Sequence, residues 1–349
     1  MTVSVGLRAA AWPMRWKPAG AMLLIAAGLT LTAQAGPLLF VGEGGGTQSL
    51  KTFDGTSGAF IYQDSISGSL GFPTGIAVGP DGNVYLGDNQ AGAIDRFNGS
   101  TGAFIDQVVP AGSGADPLVA PSGLAFGPNG NLYVADYGTG GAGFINVYTG
   151  MGAFVTQLVA PNTGPPFGLD YPAGIAVGSN GDVYVADSAS GIDLFGPTGN
   201  FLSVLVPLGS GPGLSGLSNP SGVTFGPDGN LYVADEGTGD VAVYNSTTGH
   251  FLGVFGDTGS LAQPIGLGFG PNGNLYVTDS LGVEEFNGTT GASLGTFIAG
   301  GSGNLISGQY LAFSNEVPEP APFSLAALAG ILGFCWRRRT ALTSRRSPG

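Results

Sequence analysis

The segment Pro220-Ser-Gly-Val-Thr-Phe-Gly-Pro-Asp-Gly-Asn-Leu-Tyr-Val-Ala-Asp235 decides how the whole chain reads. Four further copies run Pro73–Asp88, Pro121–Asp136, Pro172–Asp187 and Pro264–Asp279, so the closing aspartates recur at intervals of 48, 51, 48 and 44 residues. Within each copy a short apolar run leads into Gly-Pro-Asp-Gly-Asn or a close variant. There Pro fixes one corner of a turn and Gly accepts the positive φ that follows. A β-branched and aromatic run then reads as the returning strand and stops at Asp. A short third strand such as Val241–Tyr244 follows, and a Thr-Gly turn leads to a fourth such as Phe201–Val206.

The third and fourth strands come in six copies rather than five. Phe53-Asp-Gly-Thr-Ser-Gly-Ala-Phe-Ile61 has siblings that begin at Phe97, Val147, Leu194, Val243 and Glu285. Gly36–Glu43 supplies a second strand without a first, comparable with Leu231-Tyr-Val-Ala-Asp-Glu236, and Tyr310-Leu-Ala-Phe-Ser314 supplies a first strand without a second. Four antiparallel strands in each of several similar units are the mark of β-propeller blades. The expectation is an all-β, six-bladed β-propeller over residues 36–315, with five whole blades and one shared. The C-terminal strand should pair with N-terminal strands around Leu39, Lys51 and Phe60, closing the ring and removing an open edge.

The formal net charge of −13 is unevenly spread. Apart from Lys51 and Arg96, every basic residue lies near an end: Arg8, Arg15, Lys17, Arg337, Arg338, Arg339, Arg345 and Arg346. An acidic middle repels phosphate backbones and argues against nucleic acid as a partner. Cys335 is the only cysteine, so no intramolecular disulfide forms.

The ends read as targeting segments. Arg8, Arg15 and Lys17 precede an apolar stretch from Ala19 to Leu31, and Ala33 and Ala35 occupy the −3 and −1 positions of a cleavage site. Residues 1–35 are therefore expected to be a secretory signal peptide cleaved after Ala35. Residues 316–322 form a stiff proline-rich linker, 323–336 an apolar transmembrane segment, and 337–349 a basic cytoplasmic tail. The apolar segment is short against the roughly 20 residues a spanning helix needs.

Two resemblances rest on these residues. The repeat resembles the NHL repeat, whose pattern runs from Pro-x-Gly through Asp-Gly-Asn to Tyr-Val-Ala-Asp, and it covers Leu38–Ser314. That implies a propeller and leaves function open, because NHL propellers serve as binding platforms and as enzymes. The C-terminus resembles a PEP-CTERM sorting signal, with Val317, Pro318, Glu319 and Pro320, then the apolar segment, then Arg337, Arg338 and Arg339. This implies an exosortase-type processing enzyme as partner, transient membrane anchoring, and delivery to the cell surface or extracellular matrix of a Gram-negative bacterium.

Candidate chemistry is sparse. Asp88, Asp136, Asp187, Asp235 and Asp279 have the composition of a metal site, but five equivalent copies point to side-chain caps on the turn between strands two and three. Lactonase-like propellers of the gluconolactonase group hold a divalent metal on the axis. That resemblance would place ligands at Thr74, Ser122, Ala173, Ser221, Ile265 and Gln309, and none of these is a carboxylate. A hard cation wants several charged oxygens, so no metal and no cofactor are expected. His250 is the only histidine, too few for the zinc site of an NHL lyase or for a Ser–His pair. Tyr85, Tyr133, Tyr184, Tyr232 and Tyr276 recur in register as inter-blade core. Asn98, Asn245 and Asn287 match glycosylation triplets and read as hairpin turns.

Two functions stay open. One is non-catalytic binding of a polysaccharide, protein or small ligand, with Thr74, Ser122 and Ser221 as ligand contacts at the channel mouth. The alternative is a lactonase-like hydrolase or lyase on the same fold. The residues lean towards the binder, and the Gly- and Ser-rich loops do not mark which face it uses.

Overall fold

A computed structural model describes residues 36–45, 48–64, 70–163, 168–211, 216–256 and 259–314. The signal segment with Ala33 and Ala35 lies outside the described residues, as do Val317–Pro320, the apolar segment and Arg337–Arg339. Among the described residues no helix is long and apolar enough to cross a membrane.

The described strands form six antiparallel four-stranded sheets. The chain opens with β1 (Leu38–Glu43), β2 (Ser49–Asp54) and β3 (Phe60–Asp64). Blade 1 holds β4 (Pro73–Val78), β5 (Val84–Asp88), β6 (Ala93–Phe97) and β7 (Phe104–Val109). Blade 2 holds β8 (Pro121–Phe126), β9 (Asn131–Asp136), β10 (Phe144–Thr149) and β11 (Phe154–Val159). Blade 3 is β12 (Pro172–Val177), β13 (Val183–Asp187), β14 (Gly191–Phe195) and β15 (Phe201–Pro207). Blade 4 is β16 (Pro220–Phe225), β17 (Leu231–Asp235), β18 (Asp240–Tyr244) and β19 (Phe251–Phe255). Blade 5 is β20 (Leu267–Phe269), β21 (Leu275–Asp279), β22 (Gly282–Phe286) and β23 (Ser293–Ala299).

The sixth blade is shared, as the strand count implies. The last strand, β24 (Gly308–Phe313), pairs with β1 through Leu39–Phe313, Phe40–Ala312 and Val41–Leu311. Backbone N–H of Leu38 donates to Ser314 Oγ at 2.8 Å, and Ser314 N–H donates back to the Leu38 carbonyl at 2.8 Å. The strand pairing also fixes the register of the first strand against the repeat. The pairing of Glu43 with Gly308 matches that of Asp235 with Pro220, so Glu43 stands in the slot of Asp235.

Blades pack through the strand-two tyrosines. Tyr85, Tyr184 and Tyr232 meet Phe126, Phe225 and Phe269 of the following blade edge to face, with centroids 4.8, 5.1 and 5.1 Å apart. Tyr276 meets Phe313 of the closing blade at 4.8 Å. Such pairs add about 0.5–1.5 kcal/mol each beyond area burial. The Tyr85 hydroxyl also donates to the Gly150 carbonyl at 2.7 Å, tying blade 1 to blade 2. The asparagines of the glycosylation-like triplets act as turn residues. The Oδ1 of Asn98 accepts from the N–H groups of Ser100 and Thr101, and Asn245 and Asn287 repeat the pattern.

The repeated aspartates are buried staples. Asp136 accepts from the N–H of Gly138 in the strand two-to-three turn, and from the N–H groups of Val119 and Ala120 in the loop leading into β8. Asp235 does the same with Gly237, Ser218 and Asn219. Asp88, Asp187 and Asp279 each also bridge their turn and the lead-in loop. Glu43 takes this role in the sixth blade, accepting from Gly45, Ile306 and Ser307. The sequence supplied the turn half of this bond set. The lead-in half joins residues 16 or 17 positions apart, and only the fold brings them together.

Both basic residues of the propeller point inward. Lys51 is fully buried and donates to Gln63 Oε1 and the Gly303 carbonyl, and Arg96 forms a two-pronged pair with Asp106. Asp95 and Asp193 occupy the position equivalent to Lys51 in blades 1 and 3, buried without a cation. Burial, with Asp88 and Asp106 nearby, pushes the Asp95 carboxyl up to about 7. Burial, with Asp187 nearby, does the same for Asp193, against the opposing bond from Ser190.

Removing the Asp136 carboxylate leaves the N–H groups of Val119, Ala120 and Gly138 without their partner and unties the lead-in loop from the turn. Asp136→Ala should therefore lower unfolding free energy by roughly 2–4 kcal/mol, read by urea denaturation. The raised carboxyls give a pH signature. Below about pH 4 both folded and unfolded chains hold these protons. As pH rises, the unfolded chain releases them first, so their contribution to stability is lost between about pH 4 and pH 7. The melting temperature should fall across that window, and the fall should be shallower in Asp193→Asn. An identical slope in the variant would show that Asp193 is ionised in the folded chain.

Candidate functional site

The staples fix one face of the ring, where the strand two-to-three turns meet the loops that lead into the innermost strands. In each blade the residue after the carboxylate is hydrogen-bonded through its backbone to the lead-in loop. Asn89 pairs with Phe72, Tyr137 with Ala120, Ser188 with Tyr171, and Glu236 with Asn219. These residues line the channel mouth. The opposite face carries the Gly-Pro turns and a 670 Å³ cavity bordered by Phe126, Pro128, Asn180, Tyr184, Ser246 and Thr247.

The channel is narrow because its wall is backbone. The glycine of Pro-x-Gly in blades 1 to 4 lies so near the next blade that an added Cβ would come within 2.3–2.4 Å of a carbonyl oxygen there. Only glycine permits that approach. A 340 Å³ cavity remains on the axis, walled by Ile76, Leu124, Ile175, Val223, Leu267 and Leu311. These six side chains are apolar, and the hydroxyl-bearing Thr224 and Tyr310 also line the cavity.

Thr74, Ser122 and Ser221, expected as ligand contacts, are buried at 6%, 1% and 3% exposure. Their hydroxyls donate to the next blade: Thr74 to the Pro121 carbonyl at 2.6 Å, Ser122 to that of Pro172, and Ser221 to that of Pro264 at 2.9 Å. The geometry thus gives them a blade-clasping role. Blade 5 has Ile265 at this position, and Thr278 on β21 supplies the clasp instead, donating to the Gln309 carbonyl. Thr278 carried no sequence signal, since it lies on a different strand from the other three.

The set Thr74, Ser122, Ala173, Ser221, Ile265 and Gln309 does not suit a divalent cation, since its three hydroxyls are committed to carbonyls and it contains no carboxylate. Among the described residues no group of three or more His, Cys, Asp and Glu side chains could hold a metal ion. His250 sits at an exposed turn far from the mouth in sequence and on the opposite loop set.

Chemistry instead gathers on one side of the mouth. Tyr310 occupies the glycine slot of the closing blade and projects a phenol where five other blades have no side chain. Its hydroxyl donates to the Ser221 carbonyl at 3.4 Å, a long and weak bond to a strand two blades away. Half-buried Glu236 accepts from Asn219 Nδ2 at 3.2 Å. Burial, then Asp235, raises the Glu236 carboxyl. Tyr137 is raised by burial and then by Glu236, and Tyr310 by burial and then by Tyr137 and Glu236, so the three groups feel one another. Tyr171, 55% exposed, packs against Tyr137 with ring centroids 6.3 Å apart. Tyr310 was readable as a departure from Pro-x-Gly. The convergence with Tyr137 and Glu236 was not, because it joins three blades across the axis.

Residues 169–201 and 217–244 match the NHL repeat, and residues 316–339 match the PEP-CTERM protein-sorting motif. A comparison with curated proteins finds no match. Among solved structures, the chain is similar to one in a nidogen/laminin complex, with TM-score 0.63 and 19% identity over 81% of this chain and 100% of that one. It is also similar to virginiamycin B lyase from Staphylococcus aureus, solved with quinupristin as a catalytically inactive histidine-to-alanine form. That likeness has TM-score 0.51 and 17% identity over 74% of this chain and 84% of that one. A candidate gluconolactonase gives TM-score 0.52 and 15% identity over 66% and 79%. At these identities the likeness is one of fold. The repeat matches, the six closed blades and the terminal motif together identify the chain as an NHL-repeat, six-bladed β-propeller with a PEP-CTERM sorting motif.

Proposed function

We propose that this is an exported propeller that binds a ligand outside the cell without catalysis. The observation that carries the reading is the sorting motif at residues 316–339, directly after the last propeller strand. In this reading, residues 1–35 are a signal peptide removed after Ala35, and 323–336 anchor the chain transiently with the basic 337–349 tail inside. An exosortase-type enzyme processes the chain at Val317-Pro318-Glu319-Pro320, ahead of Arg337–Arg339, and the propeller reaches the surface or matrix of a Gram-negative bacterium. Its partner there is a polysaccharide, a protein or a smaller ligand. The binding face is the stapled one, because its side chains differ from blade to blade while the inner clasps repeat. Thr74, Ser122 and Ser221 would hold that face in shape from beneath.

A lactonase-like hydrolase or lyase is supported by fold likeness alone, and the axial residues give it no ligands.

Replacing Pro318, Glu319 and Pro320 with alanines should leave full-length precursor in the membrane fraction, seen by immunoblot. Unchanged processing would contradict the sorting part of the reading. Titrating the protein with Ca²⁺, Mn²⁺ and Zn²⁺ should leave its melting temperature within error. A large stoichiometric shift with one of them would favour the enzyme.

A further inference from the structure

The mouth is asymmetric in one respect that the repeat does not require. Five blades keep glycine where the innermost strands meet, and the sixth places Tyr310 there. The ring packs against the core cluster of Leu38, Phe40 and Ile76, and the phenol crosses towards blade 4, where its one hydrogen bond is the 3.4 Å contact to the Ser221 carbonyl. On the same side, Glu236 projects from the residue after staple Asp235, with one amide N–H, that of Asn219, directed at it. Tyr137 from blade 2 lies close enough to feel the charge of Glu236, and its ring packs against exposed Tyr171 from the loop leading into blade 3.

We propose that the corner formed by Tyr137, Tyr171, Glu236 and Tyr310 binds an organic cation, a protonated or quaternary ammonium group. This rests on the binding reading above and names the chemistry of its ligand.

Three observations favour that class. First, Glu236 is half-buried and no basic side chain answers it. Among the described residues the only salt bridges are those of Arg96, and Lys51 is buried in another blade. A partly desolvated carboxylate with one neutral donor gains most from an incoming cation. Second, the face of a tyrosine ring attracts such a group, and an ammonium ion loses less by leaving water than a metal ion does. Third, a metal would need several oxygen ligands, whereas Asp235 beside Glu236 is fully engaged by Gly237, Ser218 and Asn219. An anion is opposed by the same carboxylates and by the net charge of −13. A neutral sugar could stack on Tyr171, but it would leave Glu236 without a counter-charge.

The test is isothermal titration of the full-length chain at neutral pH with four small molecules: tetramethylammonium, propylammonium, tert-butanol and glucose. The cations should bind saturably at one site, with the neutral molecules at least about tenfold weaker. Glu236→Gln, which keeps the shape and removes the charge, should erase that preference, and Tyr171→Ala, at an exposed position, should weaken cation binding in a protein of unchanged melting temperature. Equal binding of cations and neutrals, or unchanged affinity in Glu236→Gln, would overturn the proposal. Glucose binding with both cations silent would overturn it while sustaining the broader binding reading. Silence of all four would also overturn it, and the precursor-processing and metal titrations would still report on the broader reading independently.

Discussion

The contact on which the structure depends is the approach of the innermost strands at Pro-x-Gly. Gly123 illustrates it, since a Cβ there would sit 2.4 Å from the Ala173 carbonyl oxygen. That closeness lets the hydroxyls of Thr74, Ser122, Ser221 and Thr278 reach carbonyls in the following blade. It also narrows the axis until little but backbone and apolar side chains remain. Each lead-in loop must then enter at a fixed angle, and the buried carboxylates set it by gathering N–H groups from that loop and the adjacent turn. Charge is used here as a scaffold. Unlike a salt bridge, this arrangement satisfies each carboxylate with backbone donors and needs no buried cation.

Two positions depart from this rule. Tyr310 breaks the glycine ring and Glu236 carries a carboxylate met by a single side-chain amide, that of Asn219, while the repeating positions are consumed by structure. Asp88, Asp136, Asp187, Asp235 and Asp279 are the plainest acidic set in the sequence, yet they are the least available to a ligand. Lys51 and Arg96 are both buried, so neither basic residue of the propeller offers a free positive charge at its surface.

Much of the architecture was legible in the residues. Turn glycines, alternating strands and the unequal count of half-repeats led to six blades and to a shared closing blade, since each is a local pattern of period two or a fixed turn. The role of Glu43 as the sixth staple was not legible, because its partners Ile306 and Ser307 lie at the other end of the chain. Thr278 and the lead-in half of the staples were invisible, because they depend on contacts between strands rather than on spacing within one. The mouth was hidden for a stronger reason: Tyr137, Glu236 and Tyr310 come from blades 2, 4 and 6 and converge only when the ring closes.

Ring closure by β24 is therefore the central claim, and urea denaturation of the chain lacking Gly308–Phe313 tests it most directly. Without that strand β1 regains an open edge, the loop that brings Ile306 and Ser307 to Glu43 loses its anchor, and Tyr310 is gone. The account predicts that the single cooperative transition of the intact chain moves to much lower urea or disappears. A transition of unchanged midpoint and slope would contradict it.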